Sequence, residues 1–270
     1  MRELVEAAQH ALRHAKYYEG LVDGLVGPKT RAALAAALRD AVSRGTAPAW
    51  ESFEGERRIV AGMQHALNVA GFEAGPVDGR IGPMTRGALE ELLHLLEEGR
   101  RLELDREDRG EGVGRWPLQR DVEKVFGPAG GPRCTAGRVV LPFAFSLAWQ
   151  PEKTLLSFAC HADVADPLER ILREAASAYG EKEFRRLRLD LFGGCYNYRK
   201  MRGGQALSMH SWGVAVDLDP ERNQLRWGSD KAGLAHKDYR IFWECVEAYG
   251  AVSLGRARNF DWMHLQFARL

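Results

Sequence analysis

Apolar residues at helical spacing open the chain: Val5, Ala8, Leu12 and Ala15, and again Val60, Met63, Leu67 and Ala70. Recurrence at every third or fourth position predicts an amphipathic helix in each stretch. Each is followed by a glycine-containing turn, Asp23-Gly24 and Asp78-Gly79, where glycine tolerates positive φ. Gly27-Pro28 and Gly82-Pro83 then predict the start of a second helix, because proline suits a first turn whose N–H would be unpaired anyway. The two stretches are copies of one unit. Residues 5–34 and 60–89 align without a gap at an offset of 55, with sixteen of the thirty positions identical. The second copy runs on into a leucine-rich amphipathic helix that ends in the charged segment LELDRED, and 105–115 (DREDRGEGVGR) reads as an exposed linker.

Beyond about residue 116 the period changes. Branched and aromatic runs at 138–149, 154–161, 187–199 (breaking at Gly193-Gly194) and 259–267 predict strands. Residues 166–180 predict a helix with Asp166 as N-cap, Pro167 in the first turn and Gly180 at the C-terminal end; 238–250 predict another. In SMHSWGVAVDLD (208–219), Val214, Val216 and Leu218 alternate with Ala215, Asp217 and Asp219, which predicts a strand with one apolar face and one face bearing two carboxylates. The pattern as a whole predicts an α+β domain with a small, mostly antiparallel sheet over 116–270, preceded by repeats at 1–48 and 56–104.

Composition adds mainly exclusions. A net charge of +1 over 270 residues gives no electrostatic case for nucleic acid. No apolar run approaches the roughly 20 residues that span a bilayer. MRELVEAAQHALRHAK is charged throughout and lacks the apolar core of a secretory signal. The four cysteines, Cys134, Cys160, Cys195 and Cys245, are scattered without a C-x-x-C pair and read as free buried thiols rather than a zinc ribbon.

Candidate chemistry gathers in the C-terminal part. His210, Asp217 and His264 offer two imidazoles and a carboxylate, a donor set that suits a catalytic metal with an open position. His210 and Asp217 are close in sequence, Gly213 lets the backbone bend between them, and a final strand pairing beside Asp217 would bring His264 in. Asp261, three residues before His264, is placed to act as a general base. His161 is set aside as a ligand, and Asp219 is taken as an acid outside the ligand set.

Two resemblances give these residues a context. Q-x-x-L followed by V-D-G-x-x-G-P-x-T-R-x-A-L, present in both copies, resembles the peptidoglycan-binding domain of bacterial and phage cell-wall hydrolases. It implies two small all-α three-helix modules that hold bacterial peptidoglycan, with the Asp-Gly loop and its neighbours Tyr17 and Phe72 as a contact edge. S-x-H-x-x-G-x-A-x-D, here Ser208 to Asp217, followed by D-x-x-H, here Asp261 to His264, resembles the zinc peptidases that include D-alanyl-D-alanine carboxypeptidases and phage L-alanyl-D-glutamate endolysins. That resemblance spans 116–270. It implies Zn2+ on His210, Asp217 and His264, Asp261 as base, and an arginine upstream of the zinc histidine; of Arg199 and Arg202, Arg199 directly follows a predicted strand and is taken to stabilise the oxyanion or bind a substrate carboxylate. Ser208 is a candidate for substrate backbone or for capping its turn. An aspartate base leans the expectation towards the L-alanyl-D-glutamate endopeptidase. The alternatives are a D-alanyl-D-alanine carboxypeptidase or DD-endopeptidase, and a non-catalytic wall-binding protein. With no export signal seen, the resemblance implies a monomeric phage endolysin held in the host cytoplasm until lysis, with no membrane insertion.

Overall fold

The computed structural model describes residues 1–49, 52–101 and 114–270. The predicted linker lies outside these residues except for its last two positions. The chain divides into two compact units, Met1–Glu103 and Leu104–Leu270.

In the first unit each repeat contributes two α-helices among the described residues, α1 (Arg2–His14) and α2 (Pro28–Ser43), then α3 (Gly55–Val69) and α4 (Pro83–Glu98). The three-helix modules that the resemblance implied are therefore not seen in the described residues. Pro28 and Pro83 begin their helices with an extended glycine before them, as expected. The leucine-rich helix stops at Glu98 because Gly99 takes a left-handed conformation with φ +68 and turns the chain. The repeats share one core: Val5, Ala8 and Leu12 of the first and Val60, Met63 and Leu67 of the second belong to the same buried cluster. Gly62 makes this possible at one point, since a Cβ there would lie 2.6 Å from Leu34 Cδ2 of the other repeat. Burying each leucine contributes about 1.5–3 kcal/mol, so a large part of each repeat's stability depends on the other.

The repeated signature has a structural role in both copies. Gln9 Nε2 donates to Asp23 Oδ1 at 2.9 Å and to Thr30 Oγ1 at 3.1 Å, while its Oε1 accepts from the backbone N–H groups of Asp23 (3.0 Å) and Gly24 (2.9 Å). At an offset of 55, Gln64 repeats this with Asp78 Oδ1 (3.0 Å), Thr85 Oγ1 (3.0 Å) and the N–H groups of Asp78 (3.1 Å) and Gly79 (2.9 Å). Gly24 and Gly79 both have φ +71, and a Cβ on Gly79 would sit 2.7 Å from the Arg57 carbonyl oxygen. The Asp-Gly loop is thus folded around a buried glutamine.

Phe72, expected at a contact edge, is fully buried. Tyr17 spends its hydroxyl on the junction between repeats, donating to Asp40 Oδ2 at 2.5 Å; His65 Nε2 lies 2.9 Å from the same oxygen and Arg44 Nε 2.8 Å away. Burial and the bond to Asp40 push the Tyr17 hydroxyl up to about 12.

The second unit is α+β, as expected, but its sheet is not small. Among the described residues six strands, β1 (Gly137–Leu147), β2 (Gln150–Cys160), β3 (Leu191–Gly194), β4 (Ala215–Leu218), β5 (Val252–Ser253) and β6 (His264–Gln266), lie in the order β2-β1-β3-β4-β6-β5. The sheet is mixed: β1 and β3 are parallel and the other neighbours antiparallel. The α-helices among the described residues are α5 (Val122–Phe126), α6 (Ala165–Tyr179), α7 (Glu181–Arg186), α8 (Arg240–Ala248) and α9 (Leu254–Arg258), with α6 packed on β1 and α8 on α6. The strand expected over 187–199 is confined to Leu191–Gly194, because Arg188 takes φ +60 and the chain leaves the sheet after Gly194. β4 is central, and all four of its residues are buried; the polar face expected from its alternation is enclosed. No described helix is long and apolar enough to cross a membrane. All four cysteines are free; three are buried and Cys245 is half-buried.

Candidate metal centre

Strand register builds the centre. Asp217 on β4 is the direct partner of His264 on β6, and partners across an antiparallel pair project to the same face. On the other side of β4, Gly194 of β3 pairs with Asp217, and a Cβ on Gly193 would lie 2.9 Å from the Asp217 carbonyl oxygen and 3.0 Å from its Cβ. The Gly-Gly break in β3 thus makes room for the acid.

His210 arrives on a short 3-10 turn, Met209–Trp212. Ser208 caps this turn, its hydroxyl oxygen accepting from the His210 N–H at 3.4 Å, and Gly213 closes it with φ +66. No other residue fits at 213, where a Cβ would collide with the Cys134 carbonyl oxygen. The segment after β3 is laced along the turn: Asn197 N–H donates to the His210 carbonyl (3.0 Å), Arg199 N–H to Ser211 Oγ (3.0 Å), and Ser208 N–H to the Arg199 carbonyl (2.9 Å). Arg199 is therefore fixed beside His210 through its backbone. Its Nη1 donates to the Lys200 carbonyl, while its Nε is sealed from solvent with no hydrogen-bond partner.

The three side chains converge on one point. His210 Nε2 is 3.1 Å from His264 Nδ1 and 3.2 Å from Asp217 Oδ1, and His264 Nδ1 is 3.1 Å from Asp217 Oδ1. All three residues are buried. His210 Nδ1 lies 2.6 Å from the Cys195 carbonyl oxygen; a carbonyl only accepts, so Nδ1 carries the proton and Nε2 faces inward as a lone pair. His264 directs Nδ1 inward and Nε2 towards Gln266 Oε1 at 3.1 Å. With neutral rings the inward atoms are three acceptors with no donor among them. Such a set is stable around a cation. An ion held tetrahedrally with bonds of about 2.0 Å keeps its ligand atoms about 3.3 Å apart, close to the edges of this triangle. A buried His-Asp-His cluster able to hold a metal ion is therefore present. Comparison with known proteins offers no independent guide. The chain matches no family model, no curated protein and no solved structure.

Electrostatics agree with the geometry. Burial works against the Asp217 carboxylate, but the two imidazoles, His210 foremost, outweigh it and hold its pKa well below the ordinary range. Burial also opposes charge on His264, yet the Asp217 carboxylate, reinforced by Asp261 and Gln266, raises the His264 pKa. A proton is thus drawn to the same point as a metal ion.

Asp261 is buried three residues before His264 and sits in the left-handed region at φ +56, uncommon for a residue with a side chain. Its N–H donates to the Leu225 carbonyl at 2.8 Å and its carbonyl accepts from the His264 N–H at 3.0 Å. The loop that supplies Leu225 is itself closed by buried Asn223, which donates to the Asp219 carbonyl (2.8 Å) and accepts from the Leu234 N–H (2.7 Å).

One acid and one histidine considered in the sequence have other partners. β4 ends at Leu218, and Asp219, at φ +44, turns to Arg188 (3.0 Å) and Arg222 (2.7 Å). It does not share the face of Asp217. His161 donates from Nε2 to the Phe126 carbonyl (3.0 Å) and accepts at Nδ1 from the Asp163 N–H (3.1 Å); burial keeps its pKa low. It is a satisfied core histidine. Gln266, Asn223 and the Cys195 carbonyl were not anticipated. Only Gln266 left a trace in the sequence, lying two residues after His264 and so on the same strand face.

Proposed function

We propose that this protein is a zinc peptidase acting on bacterial peptidoglycan, an endolysin-like enzyme whose N-terminal repeats hold the wall. The observation that carries the reading is the triangle of three inward acceptors contributed by His210, Asp217 and His264, with the Asp261 carboxylate near enough to act electrostatically on His264. Two imidazoles and one carboxylate are a donor set suited to zinc with a position left open. The wall as substrate rests on the sequence resemblances of both units, and tethering to an insoluble polymer would raise the local concentration of enzyme.

When bound, zinc supplies Lewis acidity and an acidified water. The chain's residues do the rest. Asp261 accepts a proton from the attacking water and returns it to the leaving amine; its backbone is held at φ +56 by bonds to Leu225 and His264. Arg199, anchored on the His210 turn, neutralises charge that develops on the scissile carbonyl oxygen. Ser208 serves the turn that carries His210.

The aspartate base favours cleavage between L-alanine and D-glutamate. The test is mass spectrometry of purified peptidoglycan digested by zinc-loaded protein. New amino termini on D-glutamate are expected, and Asp261→Asn should keep its zinc while losing at least about 100-fold in rate. Release of free D-alanine alone would replace the endopeptidase by a carboxypeptidase. Unchanged turnover in the variant would remove Asp261 from its role, and an absence of any fragment from the zinc-loaded wild type would leave a wall-binding protein.

A further inference from the structure

We infer that Gln266 is a positioning residue for the metal centre, holding the His264 ring so that Nδ1 faces the ion. The inference rests on the reading of His210, Asp217 and His264 as metal ligands, and it follows from a chain of one-way hydrogen bonds. The Ala268 carbonyl can only accept, so the group 2.8 Å from it must be the Gln266 amide nitrogen. That orients the amide: its oxygen then faces His264 Nε2 at 3.1 Å. An amide oxygen only accepts as well, so Nε2 carries the proton. The lone pair of a neutral His264 ring is thereby left on Nδ1, the atom 3.1 Å from both Asp217 Oδ1 and His210 Nε2.

Gln266 is 2 % exposed, so solvent does not stand in for either bond. The two histidines are held by different means. His210 is oriented by the Cys195 main-chain carbonyl, whereas His264 is oriented by a side chain. Partners of this kind behind a metal-binding histidine commonly govern 10–100-fold in metal affinity. The amide is the residue that serves both neighbours. A glutamate at 266 would still accept from His264 Nε2 but would turn a carboxylate oxygen towards the Ala268 carbonyl. A methionine has nearly the same shape and neither function.

The test uses the full chain and Zn2+ alone, with affinity measured by competition against a chromophoric chelator, so no peptidase assay enters. Gln266→Met should lower zinc affinity about 10–100-fold, and Gln266→Glu, which keeps an acceptor for His264 Nε2, should lose less than the methionine variant. Long-range 1H–15N spectra of the histidines give a second readout: His264 should show its proton on Nε2 in wild type and Gln266→Glu, and a mixture of tautomers in metal-free Gln266→Met. Wild-type affinity in Gln266→Met, or equal loss in both variants, would overturn the positioning role. Should Gln266→Met fail to fold, Gln266→Ala takes its place with the same expectations: a loss of about 10–100-fold supports the role and wild-type affinity overturns it. A wild-type protein that takes up no zinc would overturn the metal centre itself, an outcome distinct from these.

Discussion

Gln64 and His264 are both buried polar residues with partners inside their own units, and they differ in what their side-chain atoms meet. Around Gln64 every bond runs from a donor to an acceptor: its amide N–H groups meet Asp78 Oδ1 and Thr85 Oγ1, and its oxygen meets two backbone N–H groups. Around His264 the outward bond is complete, but the inward side presents a nitrogen lone pair to a carboxylate and to a second imidazole. The first arrangement closes on itself and needs nothing further. The second is a set of like partners held together by the fold. Burying unpaired polar atoms costs free energy, so a fold that converges three of them is stabilised by whatever cation enters. Both motifs stand out in the sequence, and only the balance of donors and acceptors separates a folding device from a site.

The comparison breaks most sharply at the acid. Asp217→Ala removes one ligand and the charge that draws the other two together; the purified variant should carry no stoichiometric zinc by elemental analysis, while the Gln64→Leu protein should carry as much as wild type. Full zinc in Asp217→Ala would mean that the ion sits elsewhere.

A second prediction concerns pH. In metal-free protein the His264 pKa is raised above its ordinary 6.5, so its contribution to stability is full below pH 6.5 and lost as pH rises through the folded value. The Asp217 pKa is lowered below 3.8, so its contribution is present above pH 3.8 and lost as pH falls through the folded value. The metal-free second unit should therefore melt highest between about pH 4 and 6.5. Zinc should remove the decline on the alkaline side, since the ion takes the place of the proton. Parallel melting curves with and without zinc across pH 6 to 9 would contradict this.

Smaller effects sharpen the other half of the comparison. Gln64→Leu strands the N–H group of Gly79, leaves that of Asp78 only the Pro76 carbonyl, and should destabilise the first unit by about 1–3 kcal/mol in chemical denaturation. Tyr17→Phe removes one of three hydrogen bonds to Asp40 and should cost about 1 kcal/mol, again with zinc content unchanged. A Gln64→Leu protein with wild-type stability would show that the repeated signature is held by something other than its own bonds.

Legibility in the sequence follows the same division. Residues that act through their own chemistry were readable: His210, Asp217 and His264 do come together, because the spacing of a turn and a strand set the first two and the last strand pairs where it must. Asp219 misled because alternation was extended one residue past the strand, where a positive φ ends it. Elements without an apolar period escaped: α7 is a run of ion pairs around one buried phenylalanine, and β5 has only two residues. The size of the sheet escaped too, since it depends on long-range pairing that no local pattern states. Gln266 looked like any polar residue on a strand until Ala268 fixed which way its amide points.

The common core of the repeats has an evolutionary corollary. A duplicated element that still folded alone could be copied, lost or transplanted by recombination, one unit at a time. Here Leu34 of one copy fills the space that Gly62 of the other leaves open, and Tyr17 of the first shares Asp40 with His65 of the second. The pair has become a single heritable part, and grafting it onto another protein would require residues 1–101 entire.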